Sequence, residues 1–434
     1  MSEKNATCAL EHRENDSTTD TESYSLKANE NNPQAWLTVL GSFLIYYSSY
    51  GLINSFGFFQ DYYQRTSLGS SSQSTIAFVG TMQIALMNCL APVSGALCDS
   101  FGIWYLYICA GLGTFVSLMA LSLCTLDSVW KIFLIQGILM GTSIGFAVQP
   151  ALAVVGQQFK HRRVRAMGTV TAGCGLGGVC FPIMFTRLLR PLGFSWTLRV
   201  AAFKIGFCYI LAICISTSRR TKRPVKDVCT SLLDYRGFRD PRYSTLCLGI
   251  FIVQFGIWVP IYYIEPYCSA INPNASLKGY FLPLINGCSI FGMVLGGVLG
   301  DIIGPLNLLC PTGFLVGLLS LILWLPYTTL TPLILFACLF GFFSGMFIAL
   351  NSPVIARISP KEKLGARIGA FFSVIAIASL VGTPIGGALL PKGDDLAREA
   401  YRGVILYSGG TILFGALVLF GSRILHDRNL RARW

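Results

Sequence analysis

Long uncharged apolar runs alternate with short charged clusters along this chain, and that rhythm is its strongest signal. Each run is close to the about 20 residues that carry a helix across about 30 Å of hydrocarbon. The runs predict spans at about 36–58, 76–98, 103–125, 131–153, 165–187 and 198–216. A second set falls at about 243–265, 279–300, 306–326, 331–355, 366–390 and 402–423. A membrane β-barrel would instead show alternating segments of about ten residues, and nothing of that kind occurs. The expected fold is all-α, with twelve transmembrane helices. The expected domains are a disordered polar tail at 1–35, a six-helix bundle at 36–216, a basic linker at 217–242, a second bundle at 243–423 and a short tail at 424–434.

The two sets of six are related by an internal repeat. Gly95-Ala-Leu-Cys-Asp99-Ser-Phe-Gly102 returns as Gly297-Val-Leu-Gly-Asp301-Ile-Ile-Gly304, an offset of 202 residues. Gly141, Gly145 and Pro150 return as Gly341, Gly345 and Pro353, and Gly168 and Pro182 return as Gly369 and Pro384. Matches in spans 2/8, 4/10 and 5/11, in the same order and orientation, predict two pseudo-symmetric bundles with a site between them. Gly95, Asp99, Gly102, Gly297, Asp301 and Gly304 are the candidate gating residues. Glycine lets helices approach closely, and an aspartate at a helix end can pair with a neighbouring helix terminus or an arginine.

Composition agrees: 53% of the 434 residues are apolar and only 12% are charged. A net charge of +13 suggests nucleic acid at first sight, but topology accounts for it better. Of the 33 Lys and Arg, 23 fall in the two tails, the linker and the loops on the same side, 9 fall on the opposite side, and Lys204 lies within a span. The positive-inside rule then makes both termini cytoplasmic, with membrane lipid rather than nucleic acid as the partner of the basic face. The plasma membrane is the expected location. Among the sequons at Asn5, Asn15 and Asn274, only Asn274 falls in an outside loop, as the one glycosylation candidate. The fifteen cysteines form no C-x-x-C pair, so neither a metal site nor a disulfide framework is expected. No G-x-x-x-x-G-K-[ST] element is present, and no cofactor is implied. His12, His161 and His426 all lie outside the predicted spans and no Asp-rich motif occurs, which argues against an enzyme.

Polar side chains near the midplane are costly unless used or paired. Asn54, Gln149, Gln254, Asn286 and Asn351 are the leading substrate-binding candidates; helix–helix hydrogen bonding is the alternative for each. Amides donate and accept, which suits carbonyls and hydroxyls better than a bare anion. Tyr50 precedes Asn54 by one turn, Trp258 and Tyr262 follow Gln254 at i+4 and i+8, and Phe347 precedes Asn351 by four. Aromatic walls with a few amides describe a pocket for an amphipathic ligand, and lipid-facing or packing aromatics are the alternative. Lys204 either lines the cavity or snorkels toward the outer interface. Glu265 and Asp61 sit at outer span ends as solvated acids or as proton carriers in a coupled cycle.

The repeated G-x-L-x-D-x-x-G element resembles the loop signature of the major facilitator superfamily, although the basic residues that usually follow the first aspartate are replaced by Ser100-Phe101-Gly102-Ile103-Trp104. Four further stretches resemble the fungal branch of the monocarboxylate-porter family. They are Ala35-Trp36 with Gly51-Leu-Ile-Asn54-Ser-Phe-Gly57; Phe159-Lys160-His-Arg162-Arg163 with Ala166-Met-Gly168; Gly193-Phe-Ser-Trp196-Thr-Leu-Arg199; and Gly365-Ala-Arg367-Ile-Gly369 with Gly382-Thr-Pro384. That resemblance implies the major facilitator fold and a secondary transporter that moves a small molecule by alternating access and functions as a monomer. The animal members' carboxylate-binding lysine, and their aspartate and arginine in span 8, correspond to Asn54, Ser289 and Met293. Export of a secondary metabolite is therefore the expected function. Uptake of a monocarboxylate or vitamin-like compound, with or without proton coupling, is the alternative, and a nutrient sensor the remote one.

Overall fold

A computed structural model describes residues 32–66, 73–124, 128–217, 235–272, 279–359, 364–390, 398–427 and 429. The polar tail to residue 31, most of the linker, the Asn5, Asn15 and Asn274 sequons, and the side chains of Asp61 and Asp99 lie outside the described residues.

The described chain is helical, and eleven of its helices are long and apolar enough to cross a membrane. They are Pro33–Gln60, Phe78–Cys98, Ile103–Leu123, Val129–Gln158, Arg163–Ile215, Pro241–Ile271, Phe281–Ile303, Pro305–Trp324, Leu330–Ile358, Arg367–Ala388 and Glu399–His426. The fifth has 53 residues, about 80 Å of helix, far beyond one crossing. It is interrupted at Gly193, whose φ of 72° and ψ of 172° are non-helical. The chain turns back there, so spans 5 and 6 lie on either side of Gly193 and twelve spans result. A residue with a Cβ would be strained at this φ, which makes glycine the corner. Gly102 and Gly304, also at positive φ, each end one span and begin the next, which explains the last glycine of the repeated element.

Side chains such as Phe207 and Phe291 are 66% and 70% exposed on the periphery, as lipid contact requires of spans that are apolar all round. Inside, two hydrophobic cores form. One is built from residues between Ala35 and Ala212, the other from residues between Tyr243 and Leu419. Met293 and Ala349 from spans 8 and 10 join the first core, and Val164 from span 5 joins the second. The halves thus share core packing through spans 5, 8 and 10, and they also meet through spans 2 and 11.

Small residues set the closest approaches. A methyl placed on Gly168 of span 5 would lie 2.8 Å from the Met293 carbonyl oxygen and 2.9 Å from Cα of Gly297 in span 8. One on Gly369 of span 11 would lie 2.7 Å from Cα of Pro92 in span 2. The start of span 1 meets the end of span 6 through the Thr38 and Thr217 hydroxyls, 3.1 Å apart. The Ser422 hydroxyl of span 12 donates to the Arg242 carbonyl of span 7 at 3.5 Å. These contacts mark one end of the molecule, the tail end, where the described chain starts and where the ends of spans 6 and 12 and the start of span 7 lie.

Gly193→Ala should destabilise the protein by about 1–2 kcal/mol through its positive φ, read as a lower midpoint in thermal unfolding monitored by cysteine labelling.

Candidate functional site

Spans 1 and 7 are interrupted midway. Span 1 consists of Pro33–Asn54 and Phe56–Thr66 with Ser55 between them; span 7 consists of Pro241–Ile257 and Val259–Ile271 with Trp258 between them. In span 7, Pro260 has no N–H to give the Gly256 carbonyl, and that oxygen accepts instead from the Ser408 hydroxyl at 2.9 Å. In span 1 the Ser55 hydroxyl donates to the Gly51 carbonyl at 2.6 Å. Each broken helix is thus repaired by a serine, and each break sits beside candidate residues.

Asn54 and Asn286, one from each half, meet over Gly178 of span 5. A methyl on that glycine would lie 2.6 Å from Asn286 Cγ and 2.7 Å from Asn54 Nδ2. Asn286 Nδ2 donates to the Leu282 carbonyl one turn earlier at 3.0 Å, and Asn54 Nδ2 stands 3.8 Å from Cys174 Sγ. On span 7, Trp258 Nε1 donates to Gln254 Oε1 at 3.0 Å, so the amide and indole act as one unit beside the break. Tyr50 is half-buried with its ring 5.2 Å from that of Tyr46, and Tyr262 is half-buried one turn beyond Trp258. Phe347 does not join this group. Its ring is fully buried against Gly313 of span 9.

Gln149 and Asn351 stand apart from the other candidates. Each is only 5% exposed, and neither makes a hydrogen bond to any described residue. They lie close to the helix-interior prolines of spans 4 and 10, Gln149 one residue before Pro150 and Asn351 two before Pro353. Those prolines leave the carbonyls four residues earlier, Phe146 and Ala349, without their usual helix donor. Gln136 shows what a purely structural amide looks like in the same span: its Oε1 accepts from the Tyr63 hydroxyl at 2.7 Å. Buried polar groups are rarely left unpaired, and an exception calls for an explanation such as a ligand. Gln83 of span 2 is a third amide of this kind, 1% exposed with Nε2 unpaired. It is not among the candidates that the sequence suggests.

Ser289 and Met293 of span 8 are packing groups. The Ser289 hydroxyl donates to the Asn286 carbonyl at 2.8 Å, and Met293 is 2% exposed at the closest approach of spans 5 and 8. Glu265 is bound rather than free: it accepts from the Gly279 N–H and, at 3.3 Å, from the Phe281 N–H, capping the start of span 8.

Asp301 crosses from one half to the other. Its two carboxylate oxygens accept from the Val164 and Arg165 backbone N–H groups, both at 3.0 Å. Those are the unsatisfied donors of the first turn of span 5, where a negative charge is most favourable. Gly297 allows this contact, since a methyl there would lie 2.9 Å from the Val164 carbonyl oxygen. Its counterpart Gly95 has no described atom within 4 Å of the same point, so the two copies of the element are packed differently. A recess at the opposite, far end of spans 8 and 10, lined by Tyr280, Phe281, Pro283, Leu284 and Ile334, is almost wholly apolar and lies away from the amides.

The sequence profile of the Major Facilitator Superfamily matches residues 38–329 and, in a second match, 246–431. Among curated proteins, the MFS transporter asaE of Aspergillus flavus is 35% identical over 379 residues, covering 86% of this chain and 85% of the relative. The agnestins efflux protein AgnL12 of Paecilomyces divaricatus is 33% identical over 385 residues, covering 88% and 87%. Among solved structures, the human organic anion transporter MFSD10 superposes with a TM-score of 0.69 at 18% identity, covering 90% of this chain and all of that one. The last likeness shows the fold.

Gln149→Leu and Asn351→Leu should each leave thermal stability unchanged or raised, because neither amide has a partner to lose. Both should lower transport about tenfold or more. A marked fall in melting temperature would show that the amides are structural.

Proposed function

We propose that this chain, which belongs to the Major Facilitator Superfamily, exports a small organic metabolite across a membrane by alternating access. The observation that carries the reading is a buried amide in each half, Gln149 and Asn351, whose Nε2 and Oδ1 atoms find no partner among the described residues. An amide from each half, unpaired in this conformation, can hold the two sides of one cargo while the halves rock about it. The named activity of relatives supports export: the agnestins efflux protein covers most of this chain. A fungal secondary metabolite is accordingly the cargo class we favour, bearing carbonyls and hydroxyls for the amides and an apolar body for Tyr50, Trp258 and Tyr262.

The motifs suggest ancestry in the monocarboxylate-porter-like branch. We place the cargo outside that branch's small acids, because Asn54, Ser289 and Met293 supply neither a cation nor an acid. Uptake of such an acid is the weaker reading for the same reason. With 23 of the 33 Lys and Arg on the tail side, we place both termini in the cytoplasm, the chain in the plasma membrane and, as a working state, the monomer. Proton coupling, if present, would have to use acids at span ends, and Glu265 is already committed to a helix cap.

Asp301 is the proposed tail-end latch. The conformation described is closed there, with spans 5 and 8 in contact, and opening requires both carboxylate bonds to break. Asp301→Ala should shift the equilibrium toward tail-end opening by about 1–2 kcal/mol, roughly a tenfold change in population, measured as spin-label distances between the tail ends of the two halves. Export itself is tested by deleting the gene in its host and measuring secreted and retained metabolites. Retention of a metabolite, reversed by the wild-type chain but not by Gln149→Leu, is the expected result, and an unaltered distribution in the deletion strain would sink the proposal.

A further inference from the structure

Lys204 is a cation within the membrane that the transport site does not use. It lies five residues beyond Arg199, so its Cα is about 8 Å of helix deeper in the membrane than that residue. A helical side chain leans toward its own N-terminus, which in span 6 is the far end. The ammonium meets side chains along that route. It rests over the Phe181 ring at 4.1 Å and the Tyr47 ring at 4.9 Å, with Met184 Sδ at 3.9 Å. Two π faces and a thioether hold a positive charge weakly, and none is an oxygen acceptor for its three N–H donors. Among the described residues no carboxylate pairs with it.

Its surroundings are equally specific. Arg187 stands one turn beyond Met184 toward the far end of span 5 and is exposed, as is Arg190. Arg199 stacks on the exposed Trp196 at 4.8 Å, the amphipathic pair expected at a membrane interface. Three of the nine far-side Lys and Arg therefore gather at one corner, against the charge bias that governs the rest of the chain, and Lys204 lies beneath them. On span 6, Phe207 and Leu211 follow Lys204 at i+3 and i+7, 66% and 37% exposed, and form an apolar strip leading from the ammonium toward the bilayer centre.

We propose that this corner binds an anionic amphiphile of the far leaflet, with its oxyanion on Lys204 and Arg187 and its tail along Phe207 and Leu211. A head-up, tail-down arrangement is the orientation an amphiphile in that leaflet already has. The oxyanion supplies the acceptor that the aromatic rings cannot, in the form of charge-assisted hydrogen bonds to ammonium and guanidinium. The phosphate of an anionic phospholipid and the carboxylate of a long-chain acid share this chemistry. The site is separate from the export reading and stands without it.

The full chain, reconstituted in phosphatidylcholine vesicles with or without phosphatidylglycerol and re-extracted, would be weighed intact by mass spectrometry for retained lipid, with dodecanoate as the second probe. Wild type and Lys204→Arg should retain the anionic probe, and Lys204→Gln should retain about tenfold less. Arg187→Gln alters an exposed residue, so it should fold normally and also lose retention. Selective loss of phosphatidylglycerol identifies a lipid phosphate as the occupant, and selective loss of dodecanoate identifies a free carboxylate. Equal retention of both probes by wild type, Lys204→Gln and Arg187→Gln would overturn the site.

Discussion

Hydrocarbon supplies no hydrogen-bond partners, and every feature of this molecule answers to that constraint. It makes the chain helical, because only a helix satisfies its own backbone over a full crossing. It also makes any departure from helical bonding conspicuous. Where Pro260 withholds its N–H, Ser408 supplies a donor from span 12; where span 1 breaks, Ser55 closes the gap itself. Gln149 Nε2 and Asn351 Oδ1 are among the buried side-chain atoms that find no such partner among the described residues.

The same constraint explains how the halves hold together without a hydrophobic drive between helices. Close backbone approach at Gly168 and Gly297 contributes dispersion, and the Asp301 carboxylate answers donors at the start of span 5 that would otherwise need water. The two interfaces between halves need not be equivalent. Spans 5 and 8 are tight at the level of Gly297, while no described atom lies within 4 Å of the same point on Gly95 of span 2. Duplication produced two copies of one element and the structure uses them unequally.

Much of the architecture was legible in the residues. Hydropathy placed all twelve spans, and Gly193 and Gly304, read as motif residues, prove to be corners that a positive φ demands. The site was legible by type rather than by arrangement. Asn54 and Asn286 were chosen from separate spans, but only the fold shows that they converge on Gly178. Phe347 was chosen by its spacing from Asn351, yet i and i+4 share a helix face only approximately, and this ring turns into the core. The break in span 7 had a signal in Pro260. The break in span 1 had none comparable, because a serine hydroxyl bonding its own helix looks like any buried serine. The sequence left Lys204 between the cavity and the interface, and only the fold shows its ammonium over the rings of Phe181 and Tyr47.

Asp301 grips span 5 through main-chain N–H groups and not through side chains. Every amino acid except proline offers the same donor at positions 164 and 165. The clasp is therefore blind to the identity of the residues it holds. The basic run from Lys160 to Arg165 can drift over evolutionary time to suit a different lipid surface while the closing geometry stays intact. Change is tolerated on one side of the contact and concentrated on a single carboxylate on the other.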